Sequence, residues 1–242
     1  MKKITVLVLI VFICNLCSFG TVFANDHCIE SISCANHHGI KGNFKIPTIT
    51  SGWNSTTGYW NKINFEEWIP VKNTSSWFEV GYKKGAINMG NNVAENYDGF
   101  FKAKFIDGVF TASKITSKSA TVGTEYTITI VDYIDNNNLW EIYIGSTYIG
   151  AFSDTVGYVN GSTDDQGFEV VNTDYSSQSI ASTYISEQYY FARDTDDYDN
   201  DGNTTEVIWK KWSNKTVTAT DNTGLVNCSY SSANNKTTFT QQ

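Results

Sequence analysis

Apolar and polar residues alternate along most of the chain, with the two-residue period of a half-buried β-strand. In residues 126–130 tyrosine and isoleucine alternate with threonine, and in residues 140–144 tryptophan and isoleucine alternate with Glu141 and Tyr143. The period of about 3.6 residues that marks an amphipathic helix is nearly absent. The pattern therefore predicts an all-β protein.

Asp-Gly and Asn-Gly pairs separate several of these runs and predict tight turns. Asp107-Gly108 lies between two extended runs, and Asp98-Gly99 and Asn160-Gly161 mark further turns. Both residues of such a pair tolerate positive φ, which hairpin turns require. The runs amount to about a dozen short strands. The expected fold is a two-sheet antiparallel sandwich of the concanavalin-like jelly-roll type.

Residues 1–24 have the three parts of a secretory signal peptide. Lys2 and Lys3 give a positive start, residues 4–19 are almost entirely apolar, and Val22-Phe23-Ala24 places compact residues before a cleavage site. A membrane anchor is the competing interpretation, but no charged cluster follows the apolar run. We expect residues 1–24 to be removed and the protein to be secreted, extracellular and free of the membrane.

The remaining chain has the length of one large sandwich domain. Residues 25–42 are the least strand-like part and predict an N-terminal arm that contains cysteine and histidine. Residues 43–230 predict the β-sandwich domain itself. Residues 231–242 predict a polar C-terminal tail.

The net charge of −8 at pH 7 limits the classes of partner. An acidic protein with few arginines lacks the basic face that nucleic acids and anionic lipids need. We therefore expect no nucleic-acid partner. The strand glutamates and the aromatic residues, not the charge, lead us to expect an extracellular peptide or glycan as substrate. No feature of the sequence indicates an oligomeric state.

Three cysteines, Cys28, Cys34 and Cys228, follow the expected cleavage site, so any single disulfide leaves one thiol over. In an oxidising compartment Cys28 could pair with Cys34, or one of these two with Cys228. The three histidines all lie near the first two cysteines. That arrangement could hold a soft metal, but disulfide formation is the stronger interpretation in an exported protein.

Two glutamates lie in the middle of predicted strands, each with a glycine two positions away. In residues 77–82 the alternation puts Trp77, Glu79 and Gly81 on the face opposite the predicted core, and Gly167 and Glu169 repeat this arrangement. Two carboxylates in one cleft take different pKa values, so that one acts as general base and the other as general acid. The pattern predicts Glu79 and Glu169 as a catalytic pair, against the plain alternative of two solvated strand residues.

Two segments, residues 77–82 (WFEVGY) and 167–172 (GFEVVN), resemble the neprosin-like glutamic peptidases. The resemblance extends over roughly residues 75–172 and includes Phe100-Phe101, Asp107-Gly108, Asp132 and the Asn-Leu-Trp of residues 138–140. The family has Gly-Gly before its second glutamate, where this chain has Gly-Phe. A family cysteine segment has no counterpart here, and the fungal glutamic peptidases have glutamine at the position of the first glutamate.

The resemblance implies a β-sandwich with its active carboxylates on a concave sheet. It implies that Glu79 and Glu169 form the dyad of a glutamic endopeptidase with an acid-shifted pH optimum and no metal at the catalytic site. Trp77, Gly81 and Gly167 beside the dyad are then expected to bind substrate.

Two alternatives use the same surface differently. In a non-catalytic, lectin-like sandwich, Trp77 and Tyr143 would bind substrate by stacking on sugar rings, while the carboxylates accept hydrogen bonds from hydroxyl groups. In a glycoside hydrolase, the two carboxylates would cleave a glycosidic bond. The sequence contains no recognised glycosidase signature, so this alternative ranks below the peptidase.

Acidic residues at alternate positions predict a calcium loop late in the chain. Asp197, Asp199 and Asp201 precede Gly202, as at the opening of such a loop. The closing glutamate of an EF-hand is absent because Ile208 occupies that position. We expect a structural Ca²⁺ between two strands, with a solvated acidic loop as the alternative, and no organic cofactor.

Overall fold

The computed structural model describes residues 26–33, 37–55, 58–72, 75–88, 94–132, 139–154, 156–157, 163–171, 178–193, 207–212, 217–221 and 225–242. Throughout these ranges the regular elements are β-strands, which confirms the all-β prediction. No helix within these ranges is long and apolar enough to cross a membrane.

The described strands follow one another along the chain, most of them joined by short connections. In order they are β1 (Asp26–Ser33), β2 (His37–Lys45), β3 (Ile49–Thr50), β4 (Trp53–Asn54), β5 (Tyr59–Trp60), β6 (Lys62–Pro70), β7 (Trp77–Asn88), β8 (Ala94–Ile106), β9 (Val109–Lys114), β10 (Glu125–Asp132), β11 (Trp140–Ile144), β12 (Thr147–Ala151), β13 (Thr163–Val171), β14 (Ser179–Ile180), β15 (Thr183–Arg193), β16 (Val207–Lys211), β17 (Val217–Asp221), β18 (Val226–Ser231) and β19 (Lys236–Gln241).

Two large antiparallel sheets contain most of these strands. Sheet A has the order β17-β1-β13-β6-β7-β8-β9, and sheet B has the order β12-β11-β10-β2-β15-β19-β18, with β16 paired beside β15. Two short ribbons, β3 with β14 and β4 with β5, lie outside them. This arrangement confirms the two-sheet antiparallel sandwich; its jelly-roll connectivity stays a prediction.

An aromatic core fills the space between the two sheets. Phe65 of β6 stacks on Phe168 of β13 with ring centroids 4.4 Å apart, and Phe239 of β19 meets both rings edge-on from sheet B. Further along, Phe78 stacks on Phe152 at 4.0 Å. Burying side chains of this size stabilises the fold by about 1.5–3 kcal/mol each. Because these residues alternate along β6, β7 and β13, the residues between them lie on the outer face of sheet A.

Both ends of the chain differ from the arm and tail that the sequence predicts. Asp26–Ser33 form β1 and His37–Lys45 form β2, which are inner strands of sheet A and sheet B respectively. Cys28 and Ile32 of β1 are fully buried or nearly so. Residues 236–241 form β19, which lies between β15 and β18 and buries Phe239 completely. Glu30 of β1 and Thr237 of β19 are polar residues on the buried faces of these strands, so the apolar alternation is interrupted there.

The predicted turns have different outcomes. Asp107 and Gly108 have φ of 53° and 81° and join β8 to β9, which confirms this hairpin. Asp98-Gly99 instead lies inside β8, where a Cβ on Gly99 would approach the Tyr97 hydroxyl oxygen to 2.7 Å. The glycine there makes room for an aromatic side chain, and no turn is needed. Asn160-Gly161 lies outside the described residues.

A chain of polar side chains crosses the core from sheet A to sheet B. Gln166 Nε2 donates to Glu67 Oε2, Gln188 Nε2 donates to Gln166 Oε1, and Thr237 Oγ1 donates to Gln188 Oε1, each at 2.9 Å. All four residues are fully buried. Burial raises the pKa of Glu67 well above its usual range, against the hydrogen bond from Gln166, and the nearby Asp164 raises it further. The carboxyl is therefore stable in its neutral form.

We predict that Glu67→Gln stabilises the protein at pH 7. Because the pKa of Glu67 is higher in the folded state, wild-type stability falls as pH rises from the unfolded-state value towards the folded-state value. The carboxamide of the introduced glutamine does not ionise, and its oxygen can still accept the hydrogen bond from Gln166 Nε2. Thermal denaturation should show a higher Tm at pH 7, by about 2–4 °C for each kcal/mol gained, and a smaller gain at about pH 4.

Glu125→Gln, at the exposed start of β10, is the matched control and should leave Tm nearly unchanged. A Glu67→Gln protein that is less stable than wild type at pH 7 would show that the folded protein uses the ionised carboxylate.

Candidate active site

The outer face of sheet A brings the two predicted catalytic glutamates onto one surface. Glu79 lies on β7 and Glu169 on β13, and β6 runs between these strands. In the register of the sheet, Glu79 is opposite Trp68 of β6 and Glu169 is opposite Asn64. The two glutamates therefore lie on the same face of the sheet, with β6 between their strands, and they are displaced from each other along the strand direction.

A third glutamate, Glu66 of β6, lies between them. Its register partners are Gly81 of β7 on one side and Gly167 of β13 on the other. Glu169, Glu66 and Glu79 thus form one diagonal row across three strands, here called the glutamate row. Diagonal neighbours on one face of a sheet are within reach of long side chains. Glu66 has no exposed surface, although it lies on the outer face.

The two glycines beside Glu66 contact the protein itself. A Cβ on Gly81 would lie 2.3 Å from Glu66 Cβ and 2.5 Å from the Phe65 carbonyl oxygen. A Cβ on Gly167 would lie 2.3 Å from the Cys28 carbonyl oxygen. No side chain fits at such distances, so Gly81 lets Glu66 pack against β7 and Gly167 lets β1 approach β13. Both residues were predicted to bind substrate, and their packing gives each a structural reason to be glycine.

A second row of polar side chains runs straight across four strands, and we name it the polar row. His27 of β1, Glu169, Asn64 and Lys83 of β7 are successive register partners. Asn64 Nδ2 donates to Glu169 Oε2 at 2.6 Å, and Lys83 Nζ donates to Asn64 Oδ1. His27 Nε2 lies 3.8 Å from Glu169 Oε1. Glu169 is therefore held between an amide donor and an imidazole.

These partners set the charge of Glu169. Its burial favours the neutral acid, but the hydrogen bond from His27 and the positive charges of Lys83 and Lys62 outweigh that effect and lower its pKa. Its side chain keeps 16% of its surface exposed. Glu169 is therefore an ionised carboxylate that water can reach.

Glu79 lies in the opposite electrostatic situation. Burial and the charge of Glu169 raise its pKa to about 7. The hydrogen bond from the Trp77 indole, the positive charge of Lys83 and a hydrogen bond with Glu66 lower this pKa, but by less. Trp77 Nε1 donates to Glu79 Oε1, and the Trp77 ring stacks on Phe105 at 4.5 Å. Glu79 is consequently protonated in weak acid and oriented by a fixed donor.

Glu66 and Lys83 are two further buried titratable groups of this surface. Burial, with the charges of Glu79 and Glu169, raises the pKa of Glu66 well above its usual range. Burial lowers the pKa of Lys83, whose Nζ lies 4.6 Å from the centre of the Phe101 ring. Both groups are therefore shifted towards their neutral forms.

The remaining predicted residues do not join this surface. Tyr143 lies on β11 of sheet B, where its hydroxyl donates to Glu141 and its ring meets Tyr148 edge-on at 5.5 Å. It faces away from the core on the opposite side of the sandwich from Trp77, so these two rings do not bind the same sugar.

The predicted metal and disulfide residues lie partly outside the described ranges. Asp197, Asp199 and Asp201 are among the residues not described, so the calcium loop stays a prediction. Within the described residues, no group of three or more His, Cys, Asp or Glu side chains could hold a metal ion. Cys28 is buried and Cys228 is partly buried, and Cys34 lies outside the described ranges, so the disulfide pairing stays a prediction.

Sequence reasoning missed Glu66, Asn64 and Lys83. A signal for the first two exists in residues 62–70, where asparagine, glutamate and tryptophan alternate with phenylalanine, glutamate and isoleucine. Two consecutive glutamates obscure which of them faces the core. Lys83 follows Glu79 and Gly81 on the same face of β7 and could have been assigned by extending that alternation.

A cleft of about 300 Å³ lies elsewhere, where β8 and β9 meet the segment after β12. Its lining includes Lys102, Lys104, Ser113 and Phe152, and none of the three glutamates of the row. Lys102 Nζ donates to the Ala151 carbonyl oxygen at 3.1 Å, and Lys104 pairs with Asp154. These lysines connect sheet A to the end of β12 in sheet B. Because none of the glutamate row lines the cleft, it is separate from the candidate active site.

Comparison with protein-family models gives no match for this chain, and comparison with curated proteins gives none either. The resemblance to the neprosin-like glutamic peptidases therefore stays a hypothesis that depends on short motifs. The function has to be argued from the arrangement of the side chains.

We predict that Gly81→Ala destabilises the protein by about 1–3 kcal/mol, the usual cost of overpacking. The added methyl group would overlap Glu66 Cβ and the Phe65 carbonyl oxygen, and the latter is backbone that cannot rotate away. Urea denaturation measures the change. Gly157→Ala is the matched control, because a Cβ there meets nothing within 4 Å. Equal stability of the two variants would contradict the packing of Glu66 against Gly81.

Proposed function

We propose that the protein is a hydrolase that cleaves peptide bonds by acid–base catalysis, with Glu169 as general base and Glu79 as general acid. One observation carries this proposal: two glutamates on one face of a sheet have pKa values shifted in opposite directions. Pairs of titratable groups whose surroundings separate their pKa values are typical of acid–base sites.

Glu169 has the properties of the base. It is ionised, and its side chain is partly exposed to water. One oxygen accepts from Asn64, which fixes the carboxylate, and the other is nearer His27. In the proposed reaction Glu169 takes a proton from a water molecule as the water oxygen attacks the carbonyl carbon of the substrate.

Glu79 has the properties of the acid. Its pKa of about 7 keeps the proton on the carboxyl at weakly acidic pH, and Trp77 fixes one oxygen. In the proposed reaction the carboxyl donates this proton to the developing oxyanion or to the leaving nitrogen. Ionised Glu169 supports this role because its negative charge opposes ionisation of Glu79.

The spacing of the strands supports attack by water. Neighbouring strands lie about 4.8 Å apart and successive residues about 3.3 Å apart along a strand, so Glu79 and Glu169, two strands across and four register positions along, have Cα atoms roughly 16 Å apart. A wide separation between acid and base leaves room for a water molecule beside the scissile bond, whereas retaining glycosidases hold their carboxyl groups about 5 Å apart. Direct hydrolysis is therefore favoured over a covalent intermediate.

We predict a bell-shaped dependence of the cleavage rate on pH. The rate should rise as Glu169 ionises, at a pH below the usual glutamate range, and fall as pH passes about 7, where Glu79 loses its proton. Glu79→Gln and Glu169→Gln should each lower kcat/KM by about 10²–10⁴-fold. The measurement is cleavage of an unfolded protein substrate across the pH range, with circular dichroism to verify folding.

Glu141→Gln, on the outer face of sheet B, is the control that should retain the wild-type rate. Two results would contradict the proposal: no cleavage at any pH, or cleavage that survives both substitutions in the glutamate row.

A glycan-binding function is the second candidate, and one observation favours it. Trp53 and Trp60 are register partners in the β4–β5 ribbon and are 57% and 38% exposed. Exposed tryptophan rings stack on sugar faces, and Asn54 and Tyr59 lie beside them in the same ribbon. A protein that cleaves no peptide but whose tryptophan fluorescence responds to oligosaccharides, with the response lost in Trp53→Ala, would support this candidate.

A further inference from the structure

The polar row contains an amine and an amide in direct contact. Lys83 of β7 and Asn64 of β6 are register partners on adjacent strands, and Lys83 Nζ donates to Asn64 Oδ1. Both residues are almost completely buried, with 4% and 2% of their surface exposed. A lysine amine that is buried against a carboxamide is a nucleophile beside a carbonyl carbon that it can attack.

The surroundings of the pair favour reaction between them. Burial shifts Lys83 towards its neutral, nucleophilic form, and its Nζ lies 4.6 Å from the centre of the Phe101 ring. Glu169 Oε2 accepts from Asn64 Nδ2 at 2.6 Å, so a carboxylate contacts the group that would leave. Glu66 lies two residues along β6 on the same face, and burial favours its protonated form. An amine, an amide, a base and an acid therefore occupy one buried cluster.

We propose that Lys83 and Asn64 join in an intramolecular isopeptide bond. The Nζ lone pair attacks Asn64 Cγ, and an Nζ–Cγ bond forms as the Cγ–Nδ2 bond breaks. One proton passes from Nζ by way of Glu169 to Nδ2, which leaves as ammonia, while Glu66 donates a hydrogen bond to the carbonyl oxygen. If Lys83 starts as an ammonium, its extra proton goes to Glu169. The step involves no oxidation or reduction and needs no cofactor.

The bond would join two inner strands of sheet A. The strands β6 and β7 are consecutive in the chain, and the link between residues 64 and 83 would close the connection between them into a covalent loop. It would also fix the register that positions Glu66 between Gly81 and Gly167. The product amide keeps an N–H for Glu169, and after Lys83 loses its charge the hydrogen bond from His27 and the charge of Lys62 still lower the pKa of Glu169. The inference goes beyond the proposed hydrolase and does not depend on it.

The test is mass spectrometry of the full, folded chain after denaturation. The expected mass of the wild type is one ammonia molecule lower than its processed sequence requires, and digestion should release a branched peptide that contains Lys83 and Asn64. Lys83→Arg keeps the positive charge in the polar row but should show the full mass. Asn64→Asp should lose water in place of ammonia, since the leaving group is then an oxygen.

The role of the neighbouring base has its own variant. Glu169→Gln should leave the amine and amide unjoined while circular dichroism shows a folded protein. Wild-type protein with the full sequence mass would overturn the proposal, and so would an ammonia loss that persists in Lys83→Arg. Glu79→Gln should still form the bond, so an inactive hydrolase and a missing bond are distinguishable results.

Discussion

The removal of the Glu66 carboxyl from water is the constraint on which the candidate site depends. An unpaired ionised group inside a protein costs several kcal/mol, so a buried carboxyl keeps its proton or acquires a cation. Here both effects are present, because the pKa of Glu66 is raised and Lys83 is buried near it. Gly81 leaves the space in which the Glu66 side chain packs against β7. The flanking carboxyls then differ because burial and the charge of Glu169 raise the pKa of Glu79, whereas the hydrogen bond from His27 and the charges of Lys83 and Lys62 lower the pKa of Glu169.

Strand β6 connects the stability of the sandwich to the chemistry of its surface. Glu66 and Glu67 are consecutive, so one lies in the glutamate row and the other in the polar chain that reaches Thr237 of sheet B. Each carboxyl is fully buried and shifted towards its neutral form. A change that moves β6 therefore alters both faces of sheet A together.

Local alternation was sufficient to assign strands and faces, so the sequence placed Glu79 and Glu169 on outward-facing strand positions and located the Asp107-Gly108 turn. The catalytic role of the two glutamates stays a prediction. Which strands become neighbours depends on contacts between distant parts of the chain, and a single sequence does not display them. Glu66 was missed for this reason, since its importance comes from lying between β13 and β7. The same limit applies to Tyr143, whose local pattern matches that of Trp77 although it belongs to the other sheet.

The position of β1 has a consequence for how the molecule is assembled. β1 comes first among the described strands, yet both of its neighbours, β13 and β17, belong to the second half of the sequence. Pairings between distant segments form slowly, and chains are synthesised from the N-terminus at about 5–20 residues per second. His27 therefore cannot reach Glu169 until most of the polypeptide has been made. A nascent chain that ends before β13 contains the imidazole without its carboxylate partner, so the electrostatic arrangement of the site is a property of the completed fold only.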